Sequence, residues 1–210
     1  MKKIKQKLVV SAKKLEKLGL NIGSEGNISI KRNDTIFITP SGVHSDQLDD
    51  EGIAIVDIKG NLKNKKKPSS EILMHLYLYR ARPEINSIVH CHSTWATVLS
   101  CSRKKIPAFH YMVGEFGGND VKCSKYATFG TKKLASNVLS VIKDRSGCLI
   151  SNHGQITVAD NIENAFNLAI ALEKLSKQYF LCKLQKDFKI LSNKEMLKIS
   201  KLFKNYKVKH

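Results

Sequence analysis

Residues 85–92, INSIVHCH, followed at once by STWATVLSCS, constrain the fold of this chain more than any other stretch. The first piece carries Ile85, Ile88 and Val89 with no glycine or proline and reads as a buried strand. It runs straight into a piece that reads as a helix. A buried strand needs a sheet covered by helices, so an α/β sandwich is expected. The remaining patterns agree with that class. Ile4, Leu8, Val9, Ala12, Leu15 and Leu18 recur at helical spacing until Gly19 stops them. ISIKRNDTIFITPSG reads as a hairpin turning at Asn33-Asp34, and GIAIVDIKG as a further short strand. Pro68-Ser69-Ser70 opens a helix, with serine as its cap and Glu71 in the first turn. Helices are expected over 131–143 and 162–184, with one more in the tail. CLISNHGQITVA reads as a hairpin with Asn152-His153-Gly154 at its tip, whereas the stretch from Phe109 to Gly130 reads as a long loop.

No repeat, proline-rich linker or composition break divides the 210 residues, so a single domain over 1–210 is expected. An apolar fraction of 42% excludes a disordered chain. No run approaches the roughly 20 apolar residues of a membrane helix, and lysines and Glu16 interrupt any signal-like core at the start. The expected location is the cytoplasm, with no membrane partner. The five cysteines lack a CxxC pair and an even count, which argues against a disulfide framework. The net charge of +18 comes almost wholly from lysine spread along the chain. Nucleic-acid readers favour arginine and interleaved aromatic residues, so solvated surfaces rather than a nucleic-acid partner are expected. A positive field would also gather an anionic phosphate substrate.

The chemistry concentrates in three places. On a strand, His90 and His92 share a face while Cys91 points away, so two imidazoles can meet one metal ion. The competing reading makes one of them a core histidine and the other incidental. His153, beside a glycine at a turn tip, would complete three neutral imidazoles with an open position, as catalytic metal sites require; a polar turn residue is its alternative. Pro68-Ser69-Ser70-Glu71 sets hydroxyls and amides at a helix start, an anion site or plain capping. Gly26-Asn27 and Thr39-Pro40-Ser41-Gly42 have the same small, donor-exposing character. His75 lies one helical turn from Glu71 and reads chiefly as a helix-face or core residue, with the site within reach. His44 and His110 have no evident partners, and Trp95 reads as packing.

In order along residues 23–206, the stretches GSEGNIS, ITPSG, KPSSE, IVHCHSTWA, IPAFHYMVGEFGGN, CSKYATFGT, NHG and FKNY resemble the class II aldolase/adducin family, most closely its fuculose-phosphate aldolase branch. The resemblance implies a three-layer α-β-α sandwich around a mostly antiparallel sheet, and a homotetramer with active sites at subunit interfaces. It implies one Zn2+ per subunit held by His90, His92 and His153, with Glu71 as a ligand of the empty metal and as the acid/base. Gly26, Asn27, Ser41, Gly42, Ser69 and Ser70 match positions that cradle a substrate phosphate. Tyr111 matches a tyrosine that moves a proton at the distal oxygen, reaching a neighbouring subunit's site. Phe129 and Tyr206 match the aldehyde pocket. The implied activity is retro-aldol cleavage of a ketose 1-phosphate; a pentulose-phosphate 4-epimerase and a non-catalytic adducin-like module are the alternatives. Gly114-Glu115-Phe116 departs from the small residues commoner there, and is expected to bring a charge and a ring near the pocket.

Overall fold

The computed structural model describes residues 1–185 and 187–208, with side chains from 204 onward outside the description. Its centre is a six-stranded sheet in the order β3-β2-β1-β4-β8-β7, formed by β1 (Asn27–Arg32), β2 (Thr35–Ile38), β3 (Ala54–Asp57), β4 (Ser87–Cys91), β7 (Gly147–Ile150) and β8 (Gly154–Ala159). Every neighbouring pair in it is antiparallel. Two residues, β5 (Ile106–Pro107), pair with β6 (Asp120–Val121) in a separate ribbon. The β1–β2 hairpin turns at Asn33, whose φ of +50° suits asparagine.

The period of two along the strands divides the side chains between two helical layers. Ile36, Ile88, Ile156, Val158, Cys148 and Ile150 face a core shared with α2 (Ile72–Ala81) and α4 (Lys132–Ile142). Their neighbours Phe37, Val89 and Cys91 face α1 (Lys2–Lys17) and α5 (Ile162–Gln185). The result is a three-layer α-β-α sandwich. A third cluster joins α3 (Thr94–Cys101), α5, a 3₁₀ helix over Tyr111–Phe116 and α6 (Asn193–Val208). Among the described residues no helix is long and apolar enough to cross a membrane.

Local chemistry explains the joints that place the site. Gly19, at φ +67°, ends α1: its N–H donates to Glu16 O (2.8 Å) and the Leu20 N–H to Leu15 O (2.9 Å). That pair of bonds, with Leu15 and Leu20 packed in the same core, aims the next loop at the sheet. The serine expected to cap α2 does not occupy the cap position. Ser69 Oγ accepts from the Glu71 N–H (3.2 Å), and α2 begins at Ile72, so Glu71 occupies the cap position rather than the first turn. The long loop of the sequence reading also contains the 3₁₀ helix, whose His110 cap accepts from the Met112 N–H (3.1 Å).

Phe116 corrects a sequence expectation. It is fully buried in the third core cluster, so its ring fills the space beside Gly147 rather than a substrate pocket. Glu115 lies with Gly114 along a different depression.

Candidate metal centre

Four side chains from three segments converge at one end of the sheet. β4 carries His90 at its end and His92 just beyond it, the β7–β8 turn carries His153, and the start of α2 carries Glu71. One ligand atom from each lies within 4.8 Å of all the others. The ring centroids of His90, His92 and His153 are 4.8–5.0 Å apart. Glu71 Oε2 is 3.0 Å from His90 Nε2, and Oε1 is 3.5 Å from His153 Nε2. His90 and His92 bring their Nε2 atoms to 3.2 Å.

The backbone permits this crowding only with glycine at two points. A Cβ on Gly154 would stand 2.5 Å from Cys91 O and 3.2 Å from His92 Cδ2. A Cβ on Gly26, which also has φ +62°, would meet His90 O and the Asn21 amide at 2.5 Å. Asn21 Oδ1 then accepts the His92 N–H (3.0 Å), tying the glycine-rich loop to the end of β4.

Supporting groups orient the rings. His90 Nδ1–H donates to Gln155 O (2.7 Å), which leaves Nε2 directed at the other ligands. Gln155 is itself held, its Nε2 donating to Ser93 Oγ (2.7 Å) and to Ala169 O (3.1 Å). Glu173 receives the Trp95 and Ala96 N–H groups at 2.9 Å each, which caps α3 directly after the histidine pair.

Burial favours the neutral form of His92, pushed down to about 3, with the charge of His90 and then of His153 adding to it. Burial and His90 likewise push His153 down to about 4, against the pull of Glu71. His90 behaves oppositely. Its burial would lower its pKa, but the charge and hydrogen bond of Glu71 raise it. Burial works against the Glu71 carboxylate too, yet His90, His153 and Asn27 hold it well below the usual carboxylate range.

The donor set fits a divalent metal ion. Two neutral imidazoles, a third ring whose Nε2 faces them, and a carboxylate match the nitrogen and oxygen ligands of zinc-type sites. Glu71 Oε1 is buried without a hydrogen-bond partner among the described residues, as an oxygen reserved for another partner would be.

The cluster opens into a cavity of about 340 Å³. Gly26, Asn27, Ser41, Gly42, Ser69 and Ser70, expected at a phosphate cradle, all line it. Their amides are less free than the sequence suggests. The Ser69 N–H donates to Thr39 O (3.1 Å) and the Ser41 N–H to Lys67 O (3.3 Å). Serine hydroxyls therefore carry more of any anion grip there. Phe129 also lines the cavity and is 66% exposed, so its ring stands at the rim.

Tyr111 does not line this cavity. It is 52% exposed, stacked on His110 at 4.9 Å, with Phe203 at 6.5 Å. The side chain of Tyr206 lies outside the described residues. Sequence reasoning missed Tyr126, Asn152 and Glu25 as wall residues. Asn152 carried a signal in its place at the hairpin tip, where it adopts φ +51°. Trp95 packs on Phe180 at 5.4 Å, as its packing role anticipates.

Comparison with known proteins bears on this geometry. Residues 6–180 match the model described as Class II Aldolase and Adducin N-terminal domain. A 5-methylthioribulose-1-phosphate/5-deoxyribulose-1-phosphate aldolase of Rhodospirillum rubrum is 38% identical over 199 residues, 95% of this chain and 90% of the relative. The L-fuculose phosphate aldolase of Escherichia coli strain K12 is 35% identical over 205 residues, 97% of this chain and 95% of the relative. A solved structure of an L-fuculose 1-phosphate aldolase superposes with a TM-score of 0.93 at 38% identity, covering 96% of each chain.

Proposed function

This chain belongs to the class II aldolase and adducin family, and we propose that it is a zinc-dependent aldolase cleaving a ketose 1-phosphate of the L-fuculose 1-phosphate kind. The products are dihydroxyacetone phosphate and a small aldehyde such as L-lactaldehyde. The observation that carries this reading is the Glu71, His90, His92 and His153 cluster facing a cavity walled by small hydroxyl and glycine residues. It is a single-domain enzyme of the cytoplasm in this reading, assembled as a homotetramer.

His90, His92 and His153 would hold the ion, with Glu71 as a fourth ligand before substrate arrives. When bound, such an ion supplies a Lewis acid for the ketone and hydroxyl oxygens of the sugar. Ser41, Ser69 and Ser70, with Gly26, Asn27 and Gly42, grip the phosphate and so position the three-carbon half. Cleavage of the bond between carbons three and four requires one proton removed from the oxygen on carbon four and one delivered to carbon three. In this reading Glu71 makes the second transfer and Tyr111 of a neighbouring subunit the first. Phe129 and Tyr206 wall the aldehyde side.

A second substrate is favoured by the Rhodospirillum rubrum relative. A 5-deoxypentulose 1-phosphate offers the same phosphate, ketone and carbon-three hydroxyl, and differs only in the departing aldehyde. Both substrates release dihydroxyacetone phosphate, so one coupled assay tests the shared chemistry. Release from either sugar that a chelator stops supports the proposal. A folded, metal-loaded protein that instead returns an epimerised pentulose phosphate, or no product, overturns it.

A further inference from the structure

From Glu71 a file of buried polar side chains runs along the seam between α2 and β1. The first turns of α2 set Glu71, His75 and Tyr79 four residues apart, on one face of the helix. Two residues of β1, Asn27 and Ser29, share one face of their strand. The helix stripe packs on the strand pair. All five side chains are nearly excluded from water, His75 and Ser29 completely so.

The hydrogen bonds in this file have only one self-consistent direction. Glu71 is an ionised acceptor, so Asn27 must turn its amide nitrogen to Oε2, at 3.1 Å. Asn27 Oδ1 then faces His75 Nε2 at 2.5 Å, and a carbonyl oxygen there requires an N–H. With Nε2 protonated and the ring neutral, His75 Nδ1 is an acceptor and meets the Ser29 hydroxyl at 2.7 Å. Tyr79 closes the file, its hydroxyl sharing one proton between Ser29 Oγ at 2.7 Å and Ser29 O at 3.1 Å. From Ser29 onward each donor points toward Glu71. A flipped Asn27 would set a carbonyl against the carboxylate, and the other tautomer of His75 would leave two acceptors facing each other.

We propose that His75 is a positioning residue for the reaction: its Nε2–H fixes the Asn27 amide, which fixes the orientation of the Glu71 carboxylate beside the histidines. Asn27, oriented by the carboxylate, selects that tautomer, and the Ser29 hydroxyl, backed by Tyr79, donates to the other ring nitrogen. The role in turnover rests on the aldolase reading above, whereas the tautomer does not. Asn27, lining the cavity, thereby joins the phosphate wall to the acid/base group through one side chain.

The test has two parts. In the substrate-free protein, nitrogen-15 spectra of the imidazoles should show one neutral, slowly exchanging Nε2–H ring, assigned to His75 by its absence from His75→Gln. A protonated ring, or an Nδ1–H tautomer, overturns the proposal whatever the enzyme's substrate. In steady-state assays, His75→Phe should lower kcat by about 10-fold to 100-fold, as loss of an orienting partner does, with KM for the sugar phosphate unchanged. His75→Gln, which keeps a donor toward Asn27, should recover most of the loss. Undiminished kcat in His75→Phe, or equal loss in both variants tracking the folded fraction, overturns it. Should His75→Phe fail to fold, the tautomer and the His75→Gln kinetics decide. Absence of any aldol cleavage in the unaltered protein would sink the functional reading alone.

Discussion

The histidine cavity has a volume of about 340 Å³, while a depression beneath α6 and beside the 3₁₀ helix reaches about 630 Å³. The larger one is lined by Gly114, Asn119, Arg145, Met196 and Phe203 among others. Its charges pair off with opposite charges or a carbonyl: Arg145 Nη1 donates to Gly117 O (2.6 Å), Nη2 lies 3.7 Å from Asp120, and Asp120 also takes Lys105 at 2.9 Å, although Asp120 Oδ1 and Arg145 Nε make no hydrogen bond among the described residues. In the smaller cavity three imidazoles and a carboxylate face one another, one ligand atom of each within 4.8 Å of all the others. The difference teaches that volume does not locate chemistry here. Groups held close together in partly incompatible ionisation states do so.

The sharpest way to break this comparison is to remove the acid/base group without changing its shape. Glu71→Gln keeps an oxygen for the Asn27 amide and loses the charge and the transferable proton. We expect kcat to fall by about 100-fold to 10,000-fold, the range for losing a general acid or base. Inhibition by inorganic phosphate should persist, because the serine wall is untouched. Steady-state assays at saturating metal measure both. Full activity in Glu71→Gln would remove Glu71 from the mechanism and leave the cavity no better qualified than the depression.

How far the sequence reveals these regions depends on the range of the interactions. His90 and His92 were readable because strand alternation is local, and His153 because a turn tip beside glycine is local. The order of motifs carried the family. Glu71 is readable as a group, but its place at the cap is not, since the start of α2 at Ile72, after the bond from the Glu71 N–H to Ser69 Oγ, has no local signal. The file through Asn27, Ser29, His75 and Tyr79 joins residues 46 to 50 positions apart. His75 alone therefore looked like a core histidine, and burial is only half of its role. Phe116 was misplaced for the same reason: nothing near it in sequence announces that Gly147 leaves room for its ring.

Protons sharpen the comparison next. A metal ion must find neutral imidazoles. His92 and His153 are already neutral down to about 3 and about 4. His90 is raised above its ordinary value, the charge and hydrogen bond of Glu71 outweighing its burial, so of the three rings it keeps a proton to the highest pH in the metal-free protein. Below the raised His90 pKa, affinity should therefore fall by about tenfold per pH unit, one proton being displaced per ion. Above it the affinity should level. Competition titrations with a chromogenic chelator from pH 5.5 to pH 8.5, buffer ranges on the order of the imidazole window, check the slope. A slope of two or three protons would mean that the other rings are charged as well, against the burial that separates them from His90.

The smallest effect on activity belongs to the larger depression. Arg145→Met removes a guanidinium that lies across Gly118, where it would collide with any Cβ. Gly117 O loses its donor, and Asp120 keeps only the exposed Lys105 as a charged partner among the described residues. A lost charge-assisted hydrogen bond of this kind costs about 1.5–3 kcal/mol, to be read as a lowered midpoint in urea unfolding at unchanged slope. The kinetics should not move, since none of these groups faces the histidine cavity. A rise in KM for the sugar phosphate, at full folding, would give the depression a part in substrate handling. The contrast between paired charges on one side and opposed ligands on the other would then fail.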